Sequence, residues 1–345
     1  RNGSCLQTVA TMIEGHGDDR YRYGDIRADF SSNVPAGIDH RALYDFLRER
    51  LTVVEHYPEP EPFTLERALS ERHGIGPESV LATNGATEAL YLTAHLTAGA
   101  TTEIVQPTFA EYADACRLYE HYVSSVEAPW HPTGRTLWCC NPNNPTGRTL
   151  NRAELLRTID AHAETIFVVD QSYASFTPHP TLTAAEATAR KNLVLIHSMT
   201  KQYAIPGLRL GYLTAHPTLC NELRRLRMPW SVHALAIEAG CYLLEYGVPT
   251  PPLPDLLAET HRVAEALQAT GRFAPYPTDT HFMTVEIRRT GTAAELKEWL
   301  ASHHGILIRD ASNFEGLTPH HFRIATQTPL ENELLIEALK TWSKL

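Results

Sequence analysis

Two short apolar runs, TIFVVDQSY (165–173) and NLVLIHSMT (192–200), constrain the fold more than any other feature of this chain. Each is a continuous block of aliphatic and β-branched residues, without the alternation of a strand that keeps one face in water. A strand buried on both faces needs helices above and below it, and the neighbouring sequence supplies them. SVLATN (79–84) runs into GATEALYLTAHLTA, whose apolar residues fall at helical spacing; TEIVQP (102–107) precedes the helical FAEYADACRLYE; TLWCCNP (136–142) leads through a loop to NRAELLRTIDAHA. Strand, loop and helix in repeated succession imply an α/β fold with a parallel sheet covered by helices. Such sheets take their ligands beyond the carboxyl ends of the strands.

Beyond residue 250 the pattern changes. PTPPLPDL is a proline-rich break, followed by the helical LLAETHRVAEALQAT, the strand-like HFMTVEI, a helix near AAELKEWLASH, the strand-like ILIRD and HFRIAT, and a last helix in ENELLIEALKTWSKL. The expected organisation is an N-terminal segment (1–45) that packs on the lobes, a large domain (46–250) and a smaller α+β domain (251–345).

Composition narrows the function. Hydrophobic residues make up 43% and charged residues 20% of the 345, which suits a packed globular protein. The net charge of −10 argues against a nucleic-acid surface, so an anionic ligand would need a local cluster of arginine and lysine. No run reaches the roughly 18 apolar residues needed to span a bilayer. The six cysteines form no C-x-x-C pair, and Cys139-Cys140 lies in an apolar run, so buried free thiols are expected. The 18 histidines show no H-E-x-x-H spacing, and no metal site is expected. RNGSCLQTVATM is a poor signal peptide, which points to the cytoplasm.

Five stretches at the ends of the expected strands carry chemistry. NGATEAL (84–90) turns from strand into helix and would aim the N–H groups of Gly85, Ala86 and Thr87 at a phosphate. PTFAEYADA puts Tyr112 early in a helix, where its ring could stack on a flat ligand. NPNNPTG (141–147) is an irregular loop offering the amide of Asn144. Asp170 ends a strongly apolar strand, a costly place for a carboxylate unless it meets a cation, and Tyr173 lies near the same edge. HSMTKQYAIPGLRLGY supplies Ser198, Thr200, Lys201 and Arg209; a lysine partly desolvated near other cations becomes a neutral nucleophile near pH 7.

Taken in order, these residues are the inventory needed to hold pyridoxal 5′-phosphate. Asp170 would pair with the ring nitrogen and Lys201 would form the Schiff base. Asn144 and Tyr173 would bond the phenolate oxygen. Gly85, Ala86, Thr87, Ser198 and Arg209, with Thr200 beside them, would hold the phosphate, and Tyr112 would cover one face of the ring.

NNPTG, the aspartate strand and S-x-T-K-x-x-x-x-x-G-x-R resemble the fold-type I pyridoxal-phosphate enzymes of the class I/II aminotransferase superfamily, over residues 30–345. The resemblance implies a mostly parallel, seven-stranded sheet in the large domain and a homodimer. EHYPEP (55–60) is similar to the segment whose tyrosine, here Tyr57, reaches the neighbouring subunit's cofactor phosphate. Two branches are most similar: histidinol-phosphate aminotransferase and threonine-phosphate decarboxylase of cobalamin synthesis. GHG (15–17), DFSSNVPAG (29–37), MPWSVHALA (228–236) and ILIRDASNFEGL (306–317) resemble the decarboxylase more. That resemblance implies substrate contacts from His16, Gly17, Asn33, Asn144, Arg309 and Arg323, with a bidentate clamp on the α-carboxylate by Arg323.

Three departures stand out. The histidine motif reads HGDD where a second glycine is expected; Gln-Ser-Tyr follows Asp170; and the span from Tyr112 to Asn144 lacks a helix. Decarboxylation and transamination remain alternatives, because they differ in how the substrate is turned against the ring.

Overall fold

The computed structural model describes residues 17–344. Thirteen strands form three sheets. The largest has seven strands: β2 (Val80–Asn84), β3 (Thr101–Val105), β4 (Tyr122–Val126), β5 (Thr136–Cys140), β6 (Ile166–Asp170), β7 (Leu193–Ser198) and β8 (Leu210–Ala215). Their spatial order is β2-β8-β7-β6-β5-β3-β4. Only β8 runs against its neighbours, pairing antiparallel with both β2 and β7. The carboxyl ends of β2, β5, β6 and β7 and the start of β8 therefore meet along one edge, where Asn84 lies opposite Leu210, Ser198 opposite Gly211 and Cys140 opposite Asp170.

The central strands are as apolar as their sequence demands. Val168, Val169, Val194, Leu195 and Ile196 are at most 1% exposed, with one cluster packing on each side of the sheet. Two strands of this sheet were not anticipated. β4 is an edge strand of the sequence YVSSV, largely exposed, so burial had left little apolar pattern in it. β8 follows the lysine loop so closely that its strand character was hidden inside the motif. Residues 127–135, between β4 and β5, contain no helix, as the short Tyr112–Asn144 span had indicated.

The second lobe is a four-stranded antiparallel sheet, β12-β13-β10-β9, from β9 (Phe273–Pro275), β10 (Phe282–Ile287), β12 (Arg309–Asp310) and β13 (His321–Ala325). Helices Leu253–Gln268, Ala293–His304 and Pro329–Trp342 cover it. The first of these starts inside the proline-rich break, with Pro254 in its first turn, where a missing N–H costs nothing. Thr292/Glu295 and Thr328/Glu331 close capping boxes on the other two. ILIRD divides between two sheets: β11 (Ile306–Leu307) pairs in parallel with β1 (Ala28–Asp29), while Arg309 and Asp310 pair with β13.

After β1 the chain becomes a strap across the junction of the lobes. Five successive carbonyls of this strap accept hydrogen bonds. Phe30 accepts from the Ala325 N–H at 2.9 Å, Ser31 from Arg323, Ser32 from the Lys201 Nζ at 2.7 Å, Asn33 from the His281 Nε2 at 3.3 Å, and Val34 from the Gln327 Nε2 at 3.2 Å.

Candidate active site

The carboxyl edge of the large sheet, the strap and the start of β12 enclose a cavity of about 210 Å³. Its walls bring together Gly17, Ala86, Thr87, Tyr112, Asn144, Asp170, Tyr173, Ser198, Thr200, Lys201, Arg209, Arg309 and Arg323. Thirteen residues singled out along more than 300 positions of sequence thus converge on one space.

Asp170 ends β6 and is 6% exposed. Its Oδ1 accepts from the Ser172 N–H at 2.8 Å and the Ser172 hydroxyl at 2.6 Å; its Oδ2 accepts from the Tyr112 hydroxyl at 2.7 Å. Burial raises its pKa above the ordinary carboxylate value, against the pull of those donors and of Lys201. A carboxylate so placed favours a cation in the cavity. The expectation that Tyr112 stacks over a ligand ring is corrected here. The residue is 1% exposed, and the helix Glu111–Leu118 turns its hydroxyl onto Asp170. Phe109, half-buried and set edge-on to Tyr112 at 5.8 Å, is the aromatic beside it on the cavity wall. It stands just ahead of the helix, and PTF carried no periodicity to mark it.

Lys201 sits in the short helix Met199–Gln202 that follows β7. The residue as a whole is half-buried, but its amino group is shut in. Burial first, then the charges of Arg323 and Arg209, bring its pKa down to about 8. A fair fraction of the amine is therefore neutral near pH 7, as nucleophilic attack requires.

The anion end is built from close approaches. Gly85 opens the helix Gly85–Leu96 at φ +76°, and a Cβ there would lie 2.5 Å from the Arg209 Nη2. A Cβ on Gly211 would lie 2.4 Å from the Ala86 nitrogen. Two glycines thus let the Arg209 guanidinium and strand β8 close on a helix N-terminus, whose N–H groups and dipole favour an anion. Arg209 itself is left-handed at φ +49° and holds the Pro206 carbonyl at 2.9 Å. Ser198 and Thr200 are buried in the adjoining wall.

Arg309 and Arg323 are 6% and 4% exposed. Arg323 donates to Asn144 Oδ1 at 2.5 Å and to the Ser31 carbonyl, and its Nε is buried with no protein partner. Arg309 donates to Asn313 Oδ1 at 2.7 Å and lies over the Phe314 ring at 5.2 Å. Burial lowers both to about 10, so each stays charged at neutral pH while bonded to neutral oxygens. Two buried guanidiniums without a carboxylate partner among the described residues call for anions from outside. The Asn33 amide, fully buried, lies beside the Tyr173 hydroxyl, and neither of its polar atoms makes a well-formed hydrogen bond. Burial raises the Tyr173 phenol.

Four expected residues do not line this cavity as described: Gly85 and Asn33, whose places are given above, Tyr57 and His16. Tyr57 is 85% exposed and packs on Trp230 at 5.4 Å, and His16 lies outside the described residues. Besides Phe109, sequence reasoning had missed Ser31, Ser32 and Phe314. The strap serines contribute carbonyls, which no side-chain pattern reveals.

The fit to pyridoxal phosphate rests on four features: a buried acid seeking a cation, a shut-in amine of lowered pKa, a phosphate cradle that tolerates no Cβ, and unpartnered donors on Asn33 and Arg323. Comparison with known proteins agrees. The profile of the family "Aminotransferase class I and II" matches residues 30–339. The chain is 31% identical over 336 residues to threonine-phosphate decarboxylase of Salmonella typhimurium, covering 90% of each chain. It is 30% identical over 305 residues to a histidinol-phosphate aminotransferase of Desulfitobacterium hafniense, covering 82% of each. Among solved structures, the L-threonine-O-3-phosphate decarboxylase from Porphyromonas gingivalis matches with a TM-score of 0.87 at 40% identity, over 92% of this chain and 99% of that one. The histidinol-phosphate aminotransferase from Sinorhizobium meliloti, solved with pyridoxal-5′-phosphate, shares the fold at a TM-score of 0.84 and 19% identity, over 99% of both chains. The protein is a pyridoxal-phosphate-dependent enzyme, and it belongs to the class I and II aminotransferase family.

Proposed function

We propose that this enzyme decarboxylates a phosphorylated amino acid, O-phospho-L-threonine, to aminopropanol phosphate, a step of cobalamin synthesis. The observation that carries the reading is the pair of buried arginines without carboxylate partners among the described residues, in a chain 40% identical to a solved threonine-phosphate decarboxylase. A substrate with a carboxylate and a phosphate supplies one anion to each guanidinium.

When bound, pyridoxal phosphate supplies an aldehyde that joins the substrate amine and a ring that accepts the electron pair released at Cα. The chain's residues do the rest. Asp170 keeps the ring nitrogen protonated, itself held by Tyr112 and Ser172. The helix start at Gly85, Ala86 and Thr87, with Ser198, Thr200 and Arg209, holds the cofactor phosphate; Asn144 and Tyr173 hold the ring oxygen; and Phe109 covers the ring. Arg323 grips the α-carboxylate through its unused edge, with Asn33 and Asn144 beside it. Arg309, His16 and Gly17 take the phosphate arm. This two-point grip would fix how the bonds at Cα are turned within the cavity, and orientation of this kind decides which bond breaks. The Lys201 Nζ returns a proton to Cα once carbon dioxide has left. A cytoplasmic homodimer, in which Tyr57 reaches the partner's cofactor phosphate, goes with this reading.

The test is product analysis. Purified holoenzyme given O-phospho-L-threonine and no keto acid should release carbon dioxide and aminopropanol phosphate. Absence of both, together with amino transfer from histidinol phosphate to 2-oxoglutarate, would replace this reading with the aminotransferase one, which the Desulfitobacterium relative also supports.

A further inference from the structure

The first aspartate of the HGDD stretch, Asp18, has no part in the reaction above. Asp18 lines the same cavity as Lys201, Arg309 and Arg323. Its backbone is left-handed at φ +62°, a conformation that glycine adopts freely and an aspartate adopts at a cost. The turn is locked in place. A Cβ on Gly17 would lie 2.2 Å from the Ser31 carbonyl oxygen, and the Asp18 N–H donates to Ser31 Oγ at 2.8 Å. Ser31 in turn donates its N–H and hydroxyl to Asp29 Oδ1 at 2.8 and 2.6 Å. The Asp18 carboxyl is thereby set beside that of Asp29.

We propose that Asp18 is a specificity-determining residue: with Asp29 beside it, it weakens the pocket's grip on a doubly charged distal arm more than on a singly charged one. This rests on the reading of the pocket as the site of a phosphorylated amino acid. The arm enters a cavity lined by both Arg309, which attracts it, and Asp18, which repels it once ionised. Burial, then the charge and hydrogen bond of Asp29, raise the Asp18 carboxyl above the ordinary value, while Arg20 and Lys201 pull it back. Arg309 and Arg323 face the same space, and Asp19, the next residue, is spent on Lys297 at 2.6 Å. A phosphate monoester gains its second charge near pH 6. The second charge strengthens both the pull of Arg309 and the push of Asp18, so the cost that Asp18 imposes grows as pH rises.

The experiment uses holoenzyme, wild type, Asp18→Asn and Asp18→Gly, and reads dissociation constants from the cofactor absorbance at pH 5.5 and 8. The probes are O-phospho-L-threonine, L-threonine and orthophosphate. Removing one solvent-exposed like charge should tighten O-phospho-L-threonine about threefold at pH 8 in both variants, and by less at pH 5.5, where the arm carries less charge. L-Threonine, which lacks the arm, should bind the three proteins alike. Equal pH profiles in wild type and variants, or weaker binding by Asp18→Asn at pH 8, would overturn the proposal. Asp18→Gly also relieves the backbone, so a fold defect confined to Asp18→Asn does not spoil the comparison. If orthophosphate shows the Asp18-dependent profile while O-phospho-L-threonine is not consumed, the charge selection stands and the decarboxylase reading falls.

Discussion

Tyr112→Phe separates two physical roles for one residue, because it keeps the ring and removes only the hydroxyl. That hydroxyl is one of three donors to Asp170 among the described residues and the one of them that meets Oδ2, at 2.7 Å. A hydrogen bond to a charged group contributes about 1.5–3 kcal/mol. Asp170 keeps both bonds from Ser172, so the lower part of that range applies, and cofactor affinity should fall about tenfold. The sign of the pH effect follows from the same contacts. Burial already raises the Asp170 carboxyl, and losing a donor to its charged form raises it further. The ionised form, which the ring cation needs, is then lost at higher pH in the variant, so the deficit should be largest at the acid end and narrow as pH rises. The assay is titration of cofactor-free protein with pyridoxal phosphate between pH 5.5 and 8.5, read as the ratio of wild type to variant so that the cofactor's own titrations cancel. Affinities within twofold at every pH would refute the reasoning and return Tyr112 to the role of a packing ring.

Three further outcomes are expected. The rate at which cofactor-free protein captures pyridoxal phosphate should rise with pH and level off above about 8, where the buried Lys201 amine loses its proton, instead of climbing toward the ordinary lysine value of 10.5; stopped-flow absorbance would show it. Gly85→Ala forces a side chain into a position at φ +76° and against Arg209, and should cost about 1–2 kcal/mol of stability from the backbone alone, with faster cofactor loss, measured by denaturant unfolding and dialysis. Arg323→Lys keeps the charge but not the planar fork that joins Asn144 to the strap, so KM for the amino acid should rise about tenfold or more while bound cofactor keeps its absorbance; an unchanged KM would remove Arg323 from carboxylate binding.

How much of this was legible in the sequence follows from what each residue contributes. Asp170 and Lys201 could be found because a charge at the end of a two-face-buried strand is expensive and therefore conspicuous. Gly85 and Arg209 were legible because a phosphate cradle needs a glycine turn before a helix. β4 was not, since YVSSV has neither the burial nor the alternation of an inner strand. The exchange of roles between Tyr112 and Phe109 depends on the phase of a helix that starts at Glu111, and the sequence leaves such a boundary open by a residue or two. The contributions of Ser31 and Ser32 are main-chain oxygens, which every residue carries. Asp18 was visible only as a departure from HGG, and its meaning required the place of the turn against the strap.

The strap has a consequence for how this enzyme tolerates change. Phe30 to Val34 present five consecutive carbonyls to five different donors, Lys201 and Arg323 among them. A donor that reads main chain is indifferent to most substitutions at the acceptor, so Ser32 could be exchanged with little effect on the oxygen that Lys201 meets. A deletion is another matter, because removing one residue hands every later carbonyl to the wrong donor. Between its two anchor points this segment is specified by counting, and mutational libraries that hold its length constant will keep far more working enzymes than those that shorten it by one.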